Sequence, residues 1–321
     1  MMPAVSLARH AMATRFELVL HGENSARLRA AGEEALDEIE RLDARLSLFR
    51  SGSEISQLNA RAATEAVRVS PEVFALLERT KRLHSETGGA FDVTIAPLMR
   101  CWGFRDGHGR PPDAGELADA KSKVGMDLVH LDAADFTVRF ERSGVSLDLG
   151  AIGKGYAVEK AAEILREVGV TSALIHGGTS TIGAIGAPPD AAGWTVAIEK
   201  PPGERSQSAA TTAVLAKVLL RDESLSVSAV WGKSFQSGGM TFGHVLDPRR
   251  GEPVAGALLA AVALPSATET DALSTALLVS GRAWLATLAR RRPGARAWLV
   301  LETPDGFEAL AHGDAAAEEA R

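Results

Sequence analysis

The sequence is poor in cysteine and in aromatic side chains. Cys101 is the one cysteine among 321 residues, and aromatic residues make up 5% of the chain. A single thiol excludes a disulfide within the chain and a cysteine-based metal cluster, which fits a reducing compartment. We interpret Cys101, beside Trp102, as a small hydrophobic core residue. Because aromatic rings are scarce, Ala, Val and Leu must supply most of the packing.

Long apolar runs and clusters of positive charge are also missing. No stretch is long enough for a transmembrane helix. The formal net charge is −6 and no run of Lys or Arg stands out, so nucleic acid is not an expected partner. The first residues, MMPAVSLARHAMATRF, contain neither a sustained apolar segment nor a small-residue cleavage site, so no signal peptide is predicted.

What is present is a mixture of helix and strand patterns. Ser53 and Ser70 are expected to cap the helices that follow them, and Pro71 and Gly88 mark the start and end of the second. The full set of predicted helices is 25–46, 53–59, 71–87, 153–168, 268–279 and 282–291. The predicted strands are 14–21, 127–131, 135–141, 145–149, 172–176, 194–199, 214–220, 225–229, 242–247, 257–263 and 297–301.

The order of these elements has no regular βαβ rhythm, which predicts an α+β fold with mixed sheets and flanking helices. The polar segment 201–213 is expected to be a surface loop, and the tail 313–321 is expected to be flexible.

A glycine-rich turn in SLDLGAIGKGYAVEKAAEIL, residues 146–165, is the first candidate for chemistry. A helix begins there, and helix N-termini present free N–H groups that suit phosphate. Lys154 falls in the first turn, where a cation is unfavourable unless an anion visits. The spacing matches neither a Walker loop nor GxGxxG, so a turn with a solvated lysine remains an alternative.

The second candidate is SATETDALSTALLVSG, residues 266–281. Asp271 and Thr275 are four residues apart and share a face of the predicted helix. A carboxylate and a hydroxyl are hard oxygen ligands that suit Mg²⁺, which takes few protein ligands together with water and substrate phosphate. The alternative is that Thr268 and Asp271 form a capping pair.

Two further segments carry candidate residues. In FGHVLDPRRGEPV, residues 242–254, His244 could act as a general base, or it could be a strand-end histidine bound to backbone. In ETGGAFDVTIAPLMRCWGF, residues 86–104, Phe91 offers a stacking face and Asp92 a hydrogen-bonding group. The alternative for this segment is a helix stop followed by an ordinary core strand.

Together these segments resemble the ApbE family of FAD:protein FMN transferases. The similarity runs from about Met12 to Gly281 and rests on the motifs MATRF, LSLFRSGSEISQLN, TGGAFDVTIAPLMRCWGF, LDLGAIGKGYAVEK, GWTVAIEKP, GHVLDPRRGEP and ETDALSTALLVSG. The resemblance implies one ApbE-like domain over residues 1–321, ordered over about 12–312, built from two entwined subdomains.

The resemblance also implies roles for individual positions. His244, Lys154 and Asp271 are expected to be catalytic. The residues expected to contact FAD are Met12, Phe49, Ala90, Phe91, Asp92, Asp148 and Lys154. The residues expected to bind magnesium are Asp271, Thr275, Ser274 and, through its carbonyl, Ala151.

The implied reaction is Mg²⁺-dependent transfer of the FMN part of FAD to a Thr or Ser hydroxyl of an acceptor flavoprotein, with release of AMP. Two alternatives are a Mg²⁺-dependent FAD pyrophosphatase that yields FMN and AMP, and a non-catalytic FAD-binding protein. The sequence departs from the family pattern at VSAVW (227–231), at GGTS (177–180) and at Glu159, where an Asp is frequent. Many relatives carry an export signal and a lipid-bearing cysteine, and their absence here predicts a cytoplasmic location.

Overall fold

The structure, a computed structural model, describes residues 3–105, 107–202 and 213–313. Most of the predicted loop 201–213 and nearly all of the predicted tail 313–321 therefore lie outside the described residues. The helices are α1 (Ser25–Leu46), α2 (Glu54–Arg61), α3 (Pro71–Glu86), α4 (Ala96–Cys101), α5 (Ala114–Lys121), α6 (Gly153–Glu167), α7 (Ala267–Ser280) and α8 (Arg282–Arg291), with a 3₁₀ turn at Met126–Leu128.

The strands complete an α+β fold, as predicted. They are β1 (Ala4–Ala11), β2 (Thr14–His21), β3 (Val67–Arg68), β4 (Val129–Asp132), β5 (Thr137–Phe140), β6 (Ala173–Gly177), β7 (Thr181–Ile185), β8 (Trp194–Glu199), β9 (Val214–Leu220), β10 (Ser224–Ala229), β11 (Ser234–Ser237), β12 (Met240–Gly243), β13 (Leu246–Asp247), β14 (Glu252–Pro253), β15 (Ala257–Leu264), β16 (Arg296–Thr303) and β17 (Gly306–His312).

The chain divides into two compact units, each assembled from segments that are distant in sequence. The first unit comprises Met1–Glu40, Lys154–Ser228 and Gly256–Arg321. The second comprises Arg41–Gly153 and Ala229–Ala255. The chain therefore leaves and re-enters each unit, so neither corresponds to one continuous stretch of sequence.

The first unit is organised around an eight-stranded sheet in the order β1-β2-β6-β7-β10-β15-β16-β17. Antiparallel pairs such as β1 with β2 and β15 with β16 make up its ladders. Strand β15 is almost wholly buried, and α7 packs against it. Helix α7 is itself buried on nearly every side, which explains why its sequence shows little amphipathic character.

The second unit contains a three-stranded sheet in the order β3-β5-β4, together with helix α3 and several short elements. A separate apolar cluster forms around Leu98, Trp102, Ala120 and Leu246, and Phe235 and Phe242 pack against it. Cys101 also packs against this cluster, as the sequence suggested. Burial raises the pKa of the Cys101 thiol, which favours its neutral form.

The helices with clear sequence punctuation begin where predicted. Ser53 caps α2 by accepting a hydrogen bond from the Ser56 N–H at 2.9 Å, and Ser70 caps α3, whose first residue is Pro71. The strand predicted over 242–247 is wrong in its continuity, since β12 ends at Gly243 and β13 begins at Leu246.

The strand predicted over 145–149 is wrong, because these residues join no sheet ladder. The side chain of Asn59 pairs with the backbone of Leu147 in both directions, accepting from its N–H at 2.7 Å and donating to its carbonyl at 3.0 Å. The Asp148 N–H donates to the Val93 carbonyl at 2.6 Å. These partners satisfy the backbone groups that a neighbouring strand would otherwise bind.

No helix within the described ranges has both the length and the apolar character needed to cross a membrane.

Candidate functional site

Helix α7 carries the predicted metal ligands and begins after a side-chain cap. Ser266 is its N-cap and accepts a hydrogen bond from the Glu269 N–H at 3.1 Å. The alternative of a capping pair between Thr268 and Asp271 is therefore wrong. Asp271 lies beyond the first turn of the helix and is only 4% exposed, so helix capping does not explain this buried carboxylate.

The start of α6 lies directly against α7. The Gly155 N–H donates a hydrogen bond to Asp271 Oδ2 at 2.9 Å. A Cβ at position 155 would lie 2.2 Å from the Ala267 carbonyl oxygen and 2.7 Å from Asp271 Cβ, so this approach requires glycine. Lys154, the preceding residue, sits half-buried in the same first turn. The structure thus brings Lys154 and Asp271 onto adjoining helix segments.

A second contact fixes the two helices to each other. Glu159 Oε2 accepts hydrogen bonds from Ser266 Oγ at 2.5 Å and from the Thr268 N–H at 3.0 Å. A carboxylate at a helix N-terminus also complements the helix dipole. Glu159, noted in the sequence only as a departure from the family pattern, therefore binds the first turn of α7.

Two hydroxyl groups on α7 bind the backbone carbonyl of Asp271. Ser274 Oγ donates to the Asp271 carbonyl at 3.0 Å, and Thr275 Oγ1 donates to the same carbonyl at 3.3 Å. Both also contact Ser228 Oγ, on strand β10, at 2.9 Å and 3.1 Å respectively. Ser228 belongs to the VSAVW segment, and sequence reasoning did not assign it a functional role.

These side chains fit a hard divalent cation. Among the described residues, no group of three or more His, Cys, Asp or Glu side chains is placed to hold a metal ion. The fit instead rests on one buried carboxylate with neighbouring hydroxyls, the sparse oxygen set that suits Mg²⁺. Asp271 Oδ2 accepts the hydrogen bond from the Gly155 N–H.

In the second unit, three of the sequence motifs meet. Asn59 from SEISQLN holds Leu147, and Val93 from TGGAFDV holds Asp148, as described above. Asp148 Oδ1 in turn accepts from the Gly150 N–H at 2.9 Å, which shapes the glycine turn. The structure therefore brings the segments of Asp92 and Asp148 together, and the contact of Asn59 with Leu147 was not indicated by any motif.

The TGGAFDV segment forms a buried loop between α3 and α4, so the alternative of a core strand is wrong. Ala90 and Phe91 are each 1% exposed. The ring of Phe91 therefore lies in the core and does not present the stacking face inferred from the sequence. Asp92 Oδ1 accepts hydrogen bonds from the N–H and hydroxyl of Thr94, at 2.7 Å and 2.5 Å.

His84 forms an ion pair with Asp92 that no sequence motif indicated. His84 Nδ1 lies 3.1 Å from Asp92 Oδ2. Burial of the ring opposes its charged form, but the close side-chain contact with Asp92 and the charge of that carboxylate together outweigh burial and raise the pKa of His84.

His244 follows strand β12, and Lys233 precedes strand β11, so the two residues face each other at the open end of the hairpin that β11 and β12 form. His244 Nδ1 is 3.1 Å from the Lys233 carbonyl oxygen. A carbonyl oxygen can only accept, so this contact places the proton of a neutral ring on Nδ1 and makes Nε2 the basic nitrogen. The backbone contact foreseen as an alternative is present, and it orients the ring without removing its ability to accept a proton.

The remaining predicted residues lie at exposed or turn positions. Phe49 is 82% exposed, and the Arg105 guanidinium lies 5.5 Å from the centre of its ring. Met12 occupies the turn between β1 and β2 with φ +50°, a conformation uncommon for residues other than glycine. Ala151 lies in the turn that enters α6 and is half-buried.

Comparison with known proteins adds independent findings. The model of the ApbE family matches residues 12–299. The chain is 30% identical to a FAD:protein FMN transferase of Treponema pallidum over 290 residues, which cover 86% of this chain and 78% of that protein. It is 29% identical to a FAD:protein FMN transferase of Haemophilus influenzae, with 94% and 88% covered.

Solved structures agree in fold. The crystal structure of the ApbE protein of Thermotoga maritima superposes with a TM-score of 0.88 at 26% identity, covering 99% of this chain and 100% of that chain. The apo form of the Pseudomonas stutzeri flavinyl transferase ApbE gives a TM-score of 0.82 at 28% identity, with 97% and 95% covered.

Proposed function

Because the chain belongs to the ApbE family, whose model spans residues 12–299, we propose that it is a FAD:protein FMN transferase. The substrate is FAD, and the acceptor is a Thr or Ser hydroxyl of a flavoprotein. The observation that carries the proposal is the buried Asp271 carboxylate, held against the first turn of α6 and flanked by Ser274 and Thr275.

The metal site is part of the proposal. Asp271 Oδ1 and Thr275 Oγ1 would bind the cation, with Ser274 beside them and the Ala151 carbonyl as a further ligand implied by the family resemblance. A magnesium ion held there would neutralise charge on the pyrophosphate and on the departing AMP. Lys154, in the first turn of α6, would bind the same phosphates through its ammonium group.

The transfer exchanges one P–O bond for another. The acceptor hydroxyl oxygen bonds to the phosphorus on the FMN side of the pyrophosphate, and the bond from that phosphorus to the AMP oxygen breaks. The proton of the hydroxyl moves to His244 Nε2, whose basic form is favoured by the contact of Nδ1 with the Lys233 carbonyl. AMP leaves, and the acceptor carries FMN through a phosphoester.

The residues assigned to FAD binding are those that the family resemblance implies. Phe49 presents an exposed ring that can stack on a planar group, and Met12 lies in a tight turn with positive φ, a conformation that recurs at binding sites. Asp148 and the backbone of Ala90 and Phe91 belong to segments that are joined in the second unit. Asp92 anchors its loop through Thr94.

The alternative reaction uses the same residues. If water replaces the acceptor hydroxyl, the products are free FMN and AMP, which makes the enzyme a FAD pyrophosphatase. The test is incubation of the protein with FAD, Mg²⁺ and a candidate acceptor flavoprotein, followed by denaturing electrophoresis. Flavin fluorescence that stays on the acceptor supports transfer. Release of FMN and AMP with an unlabelled acceptor supports hydrolysis, and no AMP release over many hours supports a non-catalytic binding protein.

A further inference from the structure

Strand β10 presents two hydroxyl side chains to helix α7. Ser226 Oγ is 2.8 Å from Thr270 Oγ1. Ser228, two residues further along the strand, contacts Ser274 Oγ at 2.9 Å and Thr275 Oγ1 at 3.1 Å. Because residues i and i+2 of a strand point to the same face, the two serines occupy equivalent places, one facing the first turn of α7 and one facing the predicted cation ligands.

The protons of these hydroxyls limit how Ser228 acts on its neighbours. Each hydroxyl has one proton and two acceptor lone pairs. Ser274 Oγ has two acceptors within reach, the Asp271 carbonyl at 3.0 Å and Ser228 Oγ at 2.9 Å. Either oxygen can donate in the contacts of Ser228 with Ser274 and Thr275, so Ser228 either donates to one of the two hydroxyls and accepts from the other, or accepts from both.

The contact with Ser228 constrains the Thr275 hydroxyl in either direction. If Thr275 donates to Ser228 at 3.1 Å, both lone pairs of its oxygen point elsewhere. If it accepts from Ser228, its own proton goes to the Asp271 carbonyl at 3.3 Å and one lone pair stays available. A hydroxyl that binds a cation needs a lone pair, and not its proton, directed at the ion.

We propose that Ser228 is a positioning residue for the metal site, holding the Thr275 hydroxyl in the orientation that a divalent cation requires. The inference rests on the metal site of the proposed function and extends it to a residue outside the predicted ligand set. Partners that orient metal ligands typically contribute about 10- to 100-fold to metal affinity, so Ser228→Ala is expected to weaken cation binding by about that factor.

The fold is expected to tolerate this substitution. Without Ser228, both Ser274 and Thr275 can still donate to the Asp271 carbonyl, so no buried hydroxyl proton is left without an acceptor. Ser226→Ala is the matched control, because it removes an equivalent hydroxyl from the same strand face. Thr270 keeps its bond to the Ala267 carbonyl at 2.9 Å, and the ligands on α7 are not contacted by Ser226.

The experiment measures Mn²⁺ binding directly, with the full-length protein and no FAD, by the electron paramagnetic resonance signal of free Mn²⁺. Mn²⁺ takes the same oxygen ligands as Mg²⁺. We expect Ser228→Ala to raise the half-saturating Mn²⁺ concentration about 10- to 100-fold, Ser228→Thr to restore it, and Ser226→Ala to stay within about twofold of the wild type.

Mn²⁺ binding to Asp271→Asn distinguishes a failure of the proposed role of Ser228 from a failure of the proposed metal site. If the wild type binds Mn²⁺, Asp271→Asn does not, and Ser228→Ala binds as the wild type does, the positioning role is refuted and the metal site stands. If Asp271→Asn binds Mn²⁺ as well as the wild type, the metal site itself is refuted, and the role of Ser228 falls with it.

Discussion

Replacing Asp271 with asparagine removes the charge of the side chain while keeping its shape. In the native protein Oδ2 accepts the Gly155 N–H at 2.9 Å inside a buried helix contact. The asparagine carbonyl can accept the same hydrogen bond. A bond to a charged acceptor contributes about 1.5–3 kcal/mol and one to a neutral acceptor about 0.5–1.5 kcal/mol, so the expected loss of stability is about 1 kcal/mol.

Asp271→Asn is expected to lower the rate of catalysis much more than it lowers stability. A bound divalent ion supplies several kcal/mol of transition-state stabilisation. If about 4 kcal/mol depends on the carboxylate of Asp271, the rate falls about 1,000-fold, because each 1.4 kcal/mol corresponds to a factor of ten. Asp271→Ala is expected to be as inactive and less stable by a further 1–3 kcal/mol, roughly, since the buried Gly155 N–H loses its acceptor.

The assay follows AMP release from FAD across a range of Mg²⁺ concentrations, with thermal unfolding measured in parallel. We expect the unfolding temperature of Asp271→Asn to lie within a few degrees of the wild-type value, and its rate of AMP release to be close to zero. If Asp271→Asn instead releases AMP within about threefold of the wild-type rate at low Mg²⁺, the metal role of Asp271 is refuted. An inactive variant that also fails to fold would say nothing about the charge, which is why asparagine and not alanine is the decisive substitution.

Other substitutions test the remaining parts of the account. Phe49→Ala should raise the KM for FAD by about 2- to 10-fold, the loss of about 0.5–1.5 kcal/mol of ring stacking, with kcat little changed; an unchanged KM removes Phe49 from the binding site. Gly155→Ala should lower the free energy of unfolding by at least 1–3 kcal/mol, roughly, because its Cβ would overlap α7; a denaturant titration that matches the wild type contradicts this packing. The pKa of His84 is raised from 6.5 by Asp92, so its contribution to stability is complete below that pH and is lost as pH rises through the higher folded-state pKa. His84→Gln should abolish that pH dependence in unfolding titrations, and an unaltered profile would show that another group produces it.

Local signals in the sequence were reliable where they depended on neighbours in the chain. The caps Ser53 and Ser70 and the proline at the start of α3 fix helix ends through contacts within a few residues. The spacing of Asp271 and Thr275 likewise placed both on one helix. Such features can be predicted because the partner of each group is close in sequence.

Features that depend on distant partners were not predictable. The alternation in VSLDL is typical of a strand, but Leu147 is bound by the side chain of Asn59, 88 residues away. No spacing rule connects such pairs before the chain has folded.

In the candidate site, too, features set by the local sequence could be predicted and features set by distant residues could not. The motif on α7 suggested which residues could bind a cation, whereas it did not indicate what surrounds them. The approach of Gly155 to Asp271 spans 116 residues and the contact of Ser228 with Thr275 spans 47. Both result from the packing of α6 and β10 on α7, and neither residue type by itself indicates a function.

We propose that the transfer of FMN to a protein hydroxyl depends on a cation held by Asp271. Intact-mass measurement of an acceptor flavoprotein, after incubation with FAD and this enzyme, tests that dependence. We expect the acceptor to gain the mass of one FMN when Mg²⁺ is present, and to gain none with a chelator or with Asp271→Asn. An acceptor that gains FMN equally well in the presence of the chelator, or with Asp271→Asn, would show that no such cation is needed.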